Sequence, residues 1–235
     1  MTPTIDLQPT QRLLRLDMDW RWHRPKRRPS LPKGEPRLDE RPVHCLADGI
    51  VIGAPAAHLP YDDGAFDLVE CGAVFAYIRN DEGLANELAR ITAPTGTINL
   101  KVPATGLLAG LDAFNLHRYL VDTSGRGLRP FETAEIGWRR HYSLADLTKM
   151  LDPARFELKE ARTSSVAAAE VVRLIGFGLF RWLRPSRNRY RQVSRIASRL
   201  LAYEDRIEWR HGFWLTATFE RKINEDQTHS GPVPI

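Results

Sequence analysis

The stretch from Phe66 to Pro103 carries the pattern that most restricts the fold of this chain. Phe66, Leu68 and Val69 form a short apolar run, which is too short for a helix and typical of a strand covered on both faces. The next segment, NDEGLANELARIT, places apolar residues at helical spacing behind an N-cap, and TINLKVP is again rich in strand-forming residues. Strand, helix and strand in this order predict a right-handed parallel crossover and an α/β fold.

Downstream segments extend the same alternation. HYSLADLTKML pairs Ser143 with Asp146 in a capping-box pattern ahead of a short helix, and a strand is predicted at residues 156–161. Residues 166–209 predict two helices separated near Pro185. The final GFWLTATFERK alternates apolar and polar residues and predicts the strand that closes the sheet.

Composition excludes several protein classes. With 235 residues and 43% hydrophobic content, the chain can bury one substantial core. Cys45 and Cys71 lie far apart and form no CxxC pair, so we expect no metal site and no disulfide scaffold. No run reaches the roughly eighteen uncharged apolar residues of a spanning helix, and a reducing cytoplasm is the expected compartment. Residues 223–235 are expected to be a disordered tail.

Positive charge is concentrated in two segments. Between Arg21 and Pro42, eight basic residues accompany three acids and five prolines, which predicts an exposed, partly disordered arm over residues 1–42. We favour a solvated linker over a nucleic-acid arm, because no aromatic platform or recognition fold accompanies the arm. Between Val171 and Tyr203 there are eight arginines and no aspartate, glutamate or lysine.

The order of these motifs resembles the class I S-adenosylmethionine-dependent methyltransferase family, of the broad small-molecule and lipid type. The matching positions are Leu59, Pro60, Tyr61, Phe66, Asp67, Leu68, Arg90, Pro94, Gly96 and Pro103. The resemblance covers about residues 50–222. It implies a Rossmann-like sheet with C-terminal helices, S-adenosylmethionine as cofactor, and methyl transfer to a small-molecule or lipid-like acceptor.

The N-terminal half departs from this family. Complete members open with a strand, a glycine-rich turn and a helix, and their second strand ends in an acid that holds the cofactor ribose. The only early glycines here are Gly34, Gly49 and Gly53, and ADGIVIGAP is not a GxGxG turn. We therefore predict a domain at residues 43–222 whose sheet is truncated or degenerate and has fewer strands than a full domain. Its N-terminal edge would be covered by the arm or left for a protein partner.

The resemblance also implies site residues. The remaining edge of the cofactor pocket would be lined by Asp67, Cys71, Gly72 and Ala73. Four side chains follow strands where the family builds its acceptor site, and any of them could be a general base: His117, Tyr119, His141 and Tyr142. Each assignment has a structural alternative. Asp67 could satisfy backbone donors at the strand edge instead of contacting the cofactor, and each histidine could be packed or exposed without a catalytic role.

Two function classes remain open. An active methyltransferase would hold the cofactor through an unusual N-terminal half, since methyl transfer needs alignment and at most one base. A non-catalytic homologue would keep the fold as a partner or scaffold. The missing glycine turn predicts weak or absent S-adenosylmethionine binding by this chain alone. The helix predicted at residues 167–183, apolar with arginines at its end, fits either a capping helix on the sheet or a helix on an anionic membrane surface.

Overall fold

A computed structural model of the chain describes residues 12–18, 43–47, 50–127, 129, 137–183 and 186–222. The described strands are β1 Leu13–Met18, β2 Val43–Ala47, β3 Ile50–Ala54, β4 Phe66–Cys71, β5 Thr92–Pro103, β6 Phe156–Ser164 and β7 Trp214–Arg221. The described α-helices are α1 Asp81–Ile91, α2 Ala113–Ser124, α3 Leu144–Met150, α4 Ala168–Phe177 and α5 Arg187–Glu204. The strands form one sheet in the order β3-β2-β1-β4-β5-β7-β6.

The second half of the sheet follows the predicted α/β pattern. β4 and β5 are parallel and are connected through α1, whose N-cap Asn80 accepts a hydrogen bond from Gly83 N. β7 runs antiparallel between β5 and β6. The capping box at Ser143 and Asp146 is present at the start of α3. The predicted Rossmann-like sheet with C-terminal helices is therefore confirmed.

The first half of the sheet is built differently. β1 pairs in parallel with β4 at the centre of the sheet, but β2 runs antiparallel to β1 and β3 runs antiparallel to β2. Ala47 faces Ile50, so only Asp48 and Gly49 connect β2 to β3. A hairpin thus occupies the two outer positions that helix-connected parallel strands fill in a doubly wound sheet. The predicted reduced strand number is wrong, because this hairpin and β1 bring the described sheet to seven strands.

The predicted arm also requires a correction. Leu14 and Leu16 are buried whereas Arg15 and Asp17 are exposed, so residues 13–18 form a central strand with alternating faces. The prediction of an exposed arm is wrong for these six residues. The remainder of residues 1–42 and the tail at 223–235 lie outside the described part of the chain, and those assignments stay predictions.

Arg90 fastens the loop ahead of β4 to helix α1. Its guanidinium donates to the carbonyl oxygens of Leu59 (3.1 Å) and Tyr61 (2.7 Å) and to the carboxylates of Asp63 and Glu87. Glu87 in turn accepts from the Leu59 N–H. The hydrogen bonds to Glu87 and Asp63 raise the pKa of Arg90, so the guanidinium stays charged and the loop stays anchored.

We expect Arg90→Ala to lower the free energy of unfolding by about 2 kcal/mol, because two loop carbonyls lose their Arg90 donor and the half-buried Glu87 keeps only the Leu59 N–H. Urea denaturation measures the change. Arg15→Ala is the matched control: Arg15 forms one exposed ion pair with Glu70, and its loss should cost about 1 kcal/mol or less. Equal losses in both variants would contradict the anchoring role.

Candidate functional site

The carboxyl ends of β1, β4 and β5 meet at one edge of the sheet, and the strand order reverses between β1 and β4. Open α/β sheets bind ligands in the crevice at this reversal. Gly72 follows β4 and donates its N–H to Leu16 O of β1 at 3.2 Å. The next residues, Ala73–Tyr77, form a 3-10 helix whose last four side chains are buried. This edge is the candidate site.

Two of the predicted acceptor-site residues lie beside this 3-10 helix. The Tyr142 hydroxyl lies 2.9 Å from Phe75 O and 2.9 Å from the Asp81 carboxylate, and Tyr142 N donates to Pro103 O at the end of β5. The neighbouring Arg140 N donates to Ala76 O. The segment that carries His141 and Tyr142 therefore joins the loop after β4 to the end of β5. Burial raises the pKa of Tyr142, which keeps its hydroxyl protonated.

His141 lies against a buried acid. Its Nε2 is 3.2 Å from Asp112 Oδ2, a close contact that does not meet hydrogen-bonding geometry, and this buried nitrogen has no hydrogen-bond partner. The ring meets Phe213 edge to face, with centroids 5.9 Å apart. These two contacts hold the imidazole beside the candidate site, and its role as a general base stays a prediction.

A buried cluster of charges, which the sequence did not predict, lies behind His141. Arg139 is fully buried and bonds the carboxylates of Asp112 and Glu170, the latter at 2.8 Å, and the Tyr77 hydroxyl at 3.3 Å. Burial alone would lower the pKa of Arg139, but Glu170, Tyr77 and Asp112 together raise it well above its usual value. The RRHY segment indicated His141 and Tyr142, but nothing in its spacing showed that the first of these four residues would be buried.

Asp112 connects this cluster to the local backbone. Its carboxylate caps α2 by accepting from the N–H groups of Phe114 and Asn115. Burial would raise the pKa of Asp112, but the Arg139 charge and the hydrogen bonds it accepts hold that pKa below its usual range. The carboxylate is therefore ionised and simultaneously orients α2, Arg139 and the His141 ring.

The predicted cofactor residues do not all come together. Asp67 lies at the amino end of β4, about 13 Å along the strand from Cys71, where Arg12 binds it through its backbone N–H and its guanidinium. The hydrogen bonds from Arg12 lower the pKa of Asp67. Asp67 therefore lies at the edge of the sheet opposite the candidate site, whereas Cys71, Gly72 and Ala73 lie at the carboxyl end of β4.

Cys71 is a core residue. Burial raises the pKa of its thiol, so the sulfur is protonated and packs with the apolar side chains of the main core. Ala73 packs against a small cluster formed by Ala167, Phe213 and Trp214. Of these predicted residues, Gly72 and Ala73 lie directly after β4 at the candidate edge, and their contact with a cofactor stays a prediction.

The other two predicted bases lie on α2. His117 is buried and stacks on Phe177 of α4 with centroids 4.6 Å apart. Tyr119 is 58% exposed. His117 therefore belongs to the packing between two helices, and Tyr119 belongs to the outer surface of α2.

A cleft of about 360 Å³ opens beside Tyr142. Its walls come from the end of β5, the start of α3 and the end of β6, including Ala104, Thr105, Ser143, Arg162 and Thr163. Its volume is at the lower end of the range for small-molecule sites.

The described residues do not fit the family's way of holding the cofactor ribose. Because β2 runs backwards, the residues of the hairpin at the carboxyl edge of β1 are Val43 and Ala54, and both are buried and apolar. Among the described residues of β1, β2 and β3, the acid near this edge is Asp17, which lies on β1 rather than on the second strand. The Gly72 N–H is already bonded to Leu16 O.

Comparison with known proteins agrees with the fold. Residues 35–100 match the family model of a methyltransferase domain, and the resemblance to class I S-adenosylmethionine-dependent methyltransferases is thereby confirmed. No curated protein matches the chain in sequence.

Solved structures of methyltransferases are similar to the chain. An S-adenosylmethionine-dependent methyltransferase of Thermotoga maritima aligns at 15% identity with a TM-score of 0.40, covering 72% of this chain and 62% of its own. A loganic acid methyltransferase aligns at 12% identity with a TM-score of 0.42, covering 72% of this chain and 65% of its own. The chain thus spans less than two thirds of the length of these proteins.

Proposed function

We propose that this chain is a class I methyltransferase homologue that does not bind S-adenosylmethionine tightly by itself and acts as a non-catalytic partner or scaffold protein. One observation carries the proposal: the second strand of the sheet runs in the reverse direction, within a hairpin. Reversal moves the carboxyl end of this strand, where the family's ribose-binding acid belongs, to the opposite edge of the sheet.

The energetic consequence supports the proposal. A hydrogen bond to a charged group contributes roughly 1.5–3 kcal/mol, and one between neutral groups roughly 0.5–1.5 kcal/mol. Losing the ribose acid and the glycine-turn amides removes several such bonds. Since about 1.4 kcal/mol is a tenfold change in affinity, the chain should bind the cofactor orders of magnitude more weakly than a complete domain.

A protein partner suits the open edge of this sheet. Among the described strands, β3 pairs with β2 alone, so within the described part of the chain one side of its backbone carries no strand partner. Strand addition to such an edge is a common mode of protein recognition. A partner that bound there would extend the sheet on the side where the cofactor half has changed.

The second candidate function is an active methyltransferase for a small-molecule or lipid-like acceptor. The observation that favours it is the position of His141 beside the Asp112 carboxylate, next to the loop after β4. His141 would accept the proton of the methyl acceptor, with Gly72 and Ala73 bordering the cofactor. S-Adenosylmethionine, bound with the help of a partner, would supply the methyl group.

Thermal unfolding in the presence of S-adenosylmethionine tests the proposal. A micromolar site at 1 mM ligand would stabilise the folded chain by about 4 kcal/mol, which raises Tm by roughly 8 °C or more for a chain of this size. We expect a rise below about 1 °C, and the same with S-adenosylhomocysteine. A rise of several degrees, accompanied by methyl transfer that His141→Ala abolishes, would favour the active enzyme instead.

A further inference from the structure

The helical hairpin formed by α4 and α5 exposes an apolar stripe. Across α4 and the π-helical turn Gly178–Leu183, five large apolar side chains are exposed by between 38% and 63%: Val171, Ile175, Leu179, Trp182 and Leu183. Val171, Ile175 and Leu179 follow one another at four-residue intervals, and Trp182 and Leu183 come three and four residues after Leu179, so the set runs along one side of the helical segment. The opposite side is buried through Glu170 and Phe177.

The hairpin is a tightly joined unit. A Cβ on Gly176 of α4 would lie 2.4 Å from Val193 Cγ1 of α5, so the missing side chain permits close contact between the helices. Glu204 at the end of α5 accepts hydrogen bonds from Ala168 N and Ala169 N at the start of α4. The two helices are therefore held side by side as one unit.

The outer face of α5 adds positive charge and two more apolar groups. Ile196 and Tyr203, one heptad apart, are 57% and 63% exposed. Four arginines of this helix are exposed as well: Arg189, Arg191, Arg195 and Arg199. No acid or lysine occurs between residues 171 and 203, so no negative side chain of this segment offsets their charge.

We propose that this outer face docks on an anionic lipid bilayer. The apolar stripe would enter the boundary between headgroups and acyl chains, and the arginines would contact lipid phosphates, as in amphipathic helices that lie in a membrane interface. Within the described part of the chain, none of the helices has the length and apolar character of a membrane-spanning segment. A second copy of the chain fits the face poorly, because two arginine-rich surfaces would repel each other.

Co-sedimentation of the full chain with vesicles tests this proposal independently of cofactor binding. Phosphatidylcholine vesicles are compared with vesicles containing 30% phosphatidylglycerol, at low salt and at high salt. We expect binding only to the anionic vesicles, weakened by salt. Arg195→Gln with Arg199→Gln should weaken binding about 25-fold, since each arginine near the surface contributes about fivefold.

Two leucines of equal exposure provide the matched control. Leu179 on the stripe and Leu120 on α2 are both 46% exposed. Leu179→Asp should reduce vesicle binding at least tenfold, and Leu120→Asp should leave it unchanged, while both variants keep the wild-type circular dichroism spectrum. Absence of binding to anionic vesicles, or equal loss in both variants, would overturn the proposal. A wild-type dimer that Leu179→Asp converts to a monomer would also overturn it, in favour of self-association.

Discussion

Arg139→Met is expected to destabilise the protein by about 3–5 kcal/mol, which is the cost of removing one partner from a buried ion pair. The substitution keeps most of the side-chain volume but leaves the buried carboxylates of Asp112 and Glu170 without their shared cation. Glu170 retains Arg173, so Asp112 carries most of the effect. Urea denaturation at pH 7 measures the loss.

The pH dependence of this variant distinguishes an electrostatic cause from lost packing. In the wild type the pKa of Asp112 is lowered, so its contribution to stability is present above about pH 4 and is lost as pH falls further. Without Arg139, burial dominates and raises this pKa above its unfolded value. The folded variant then binds more protons than the unfolded chain, and its stability should recover as pH falls from 7 to 5.

Arg129→Ala is the control for this experiment. Arg129 is 64% exposed and pairs with Asp122, so its removal should cost about 1 kcal/mol or less. A loss in Arg139→Met as small as this control, or a loss that does not change between pH 7 and pH 5, would refute the role assigned to the buried cluster.

Phe177→Ala is expected to lower the free energy of unfolding by about 3–5 kcal/mol, the usual cost of truncating a buried phenylalanine. Phe177 is fully buried, meets Phe114 edge to face at 5.4 Å and stacks on His117 at 4.6 Å. Its ring is the main apolar link between α4 and α2. Differential scanning calorimetry and urea denaturation both measure the change.

Leu179→Ala tests the other side of the same helical segment. Because Leu179 is half exposed, this change should alter stability by roughly 0.5 kcal/mol or less. Phe177 would then stabilise the folded protein, whereas Leu179 would contribute little to stability and would be available for the membrane contact proposed above. Comparable destabilisation by the two variants would show that the stripe is part of the core.

The sequence predicts the β4-α1-β5 unit well because periodicity and capping agree there. A cap precedes α1 as expected, with Asn80 as the capping residue, and β5 alternates buried and partly buried residues for most of its length. The predicted helix at 167–183 exists as α4 followed by a π-helical turn. Each of these predictions rests on contacts between residues close in sequence.

The N-terminal strands were missed because weak local signals were outweighed by the neighbouring prolines and arginines. β1 shows only the alternation of Leu14 and Leu16 with Arg15 and Asp17. Asp48-Gly49 between two apolar runs is a strong hairpin signal, whereas the family pattern predicts a strand-helix unit at this place. A hairpin in that place reverses the second strand, which no motif of the family predicts.

The site was only partly predictable for a related reason. The family resemblance suggested His141 and Tyr142 as candidate bases, and the structure places both beside the loop that follows β4, while their catalytic role stays a prediction. Arg139 was missed because an arginine is rarely buried unless it is paired, and its partners Asp112 and Glu170 lie 27 and 31 residues away. Such a cluster depends on the tertiary fold and not on local spacing.

Calorimetric titration of the full chain with S-adenosylmethionine tests the central claim most directly. The claim is that the chain lacks the ribose-binding acid and the glycine-turn amides because its second strand is reversed. We therefore predict either no measurable heat or a Kd weaker than about 1 mM, which corresponds to a binding free energy near −4 kcal/mol. Asp67→Ala, altered at the opposite edge of the sheet, should give the same result. A Kd in the micromolar range for the wild-type chain would contradict the claim and place the chain among the active methyltransferases.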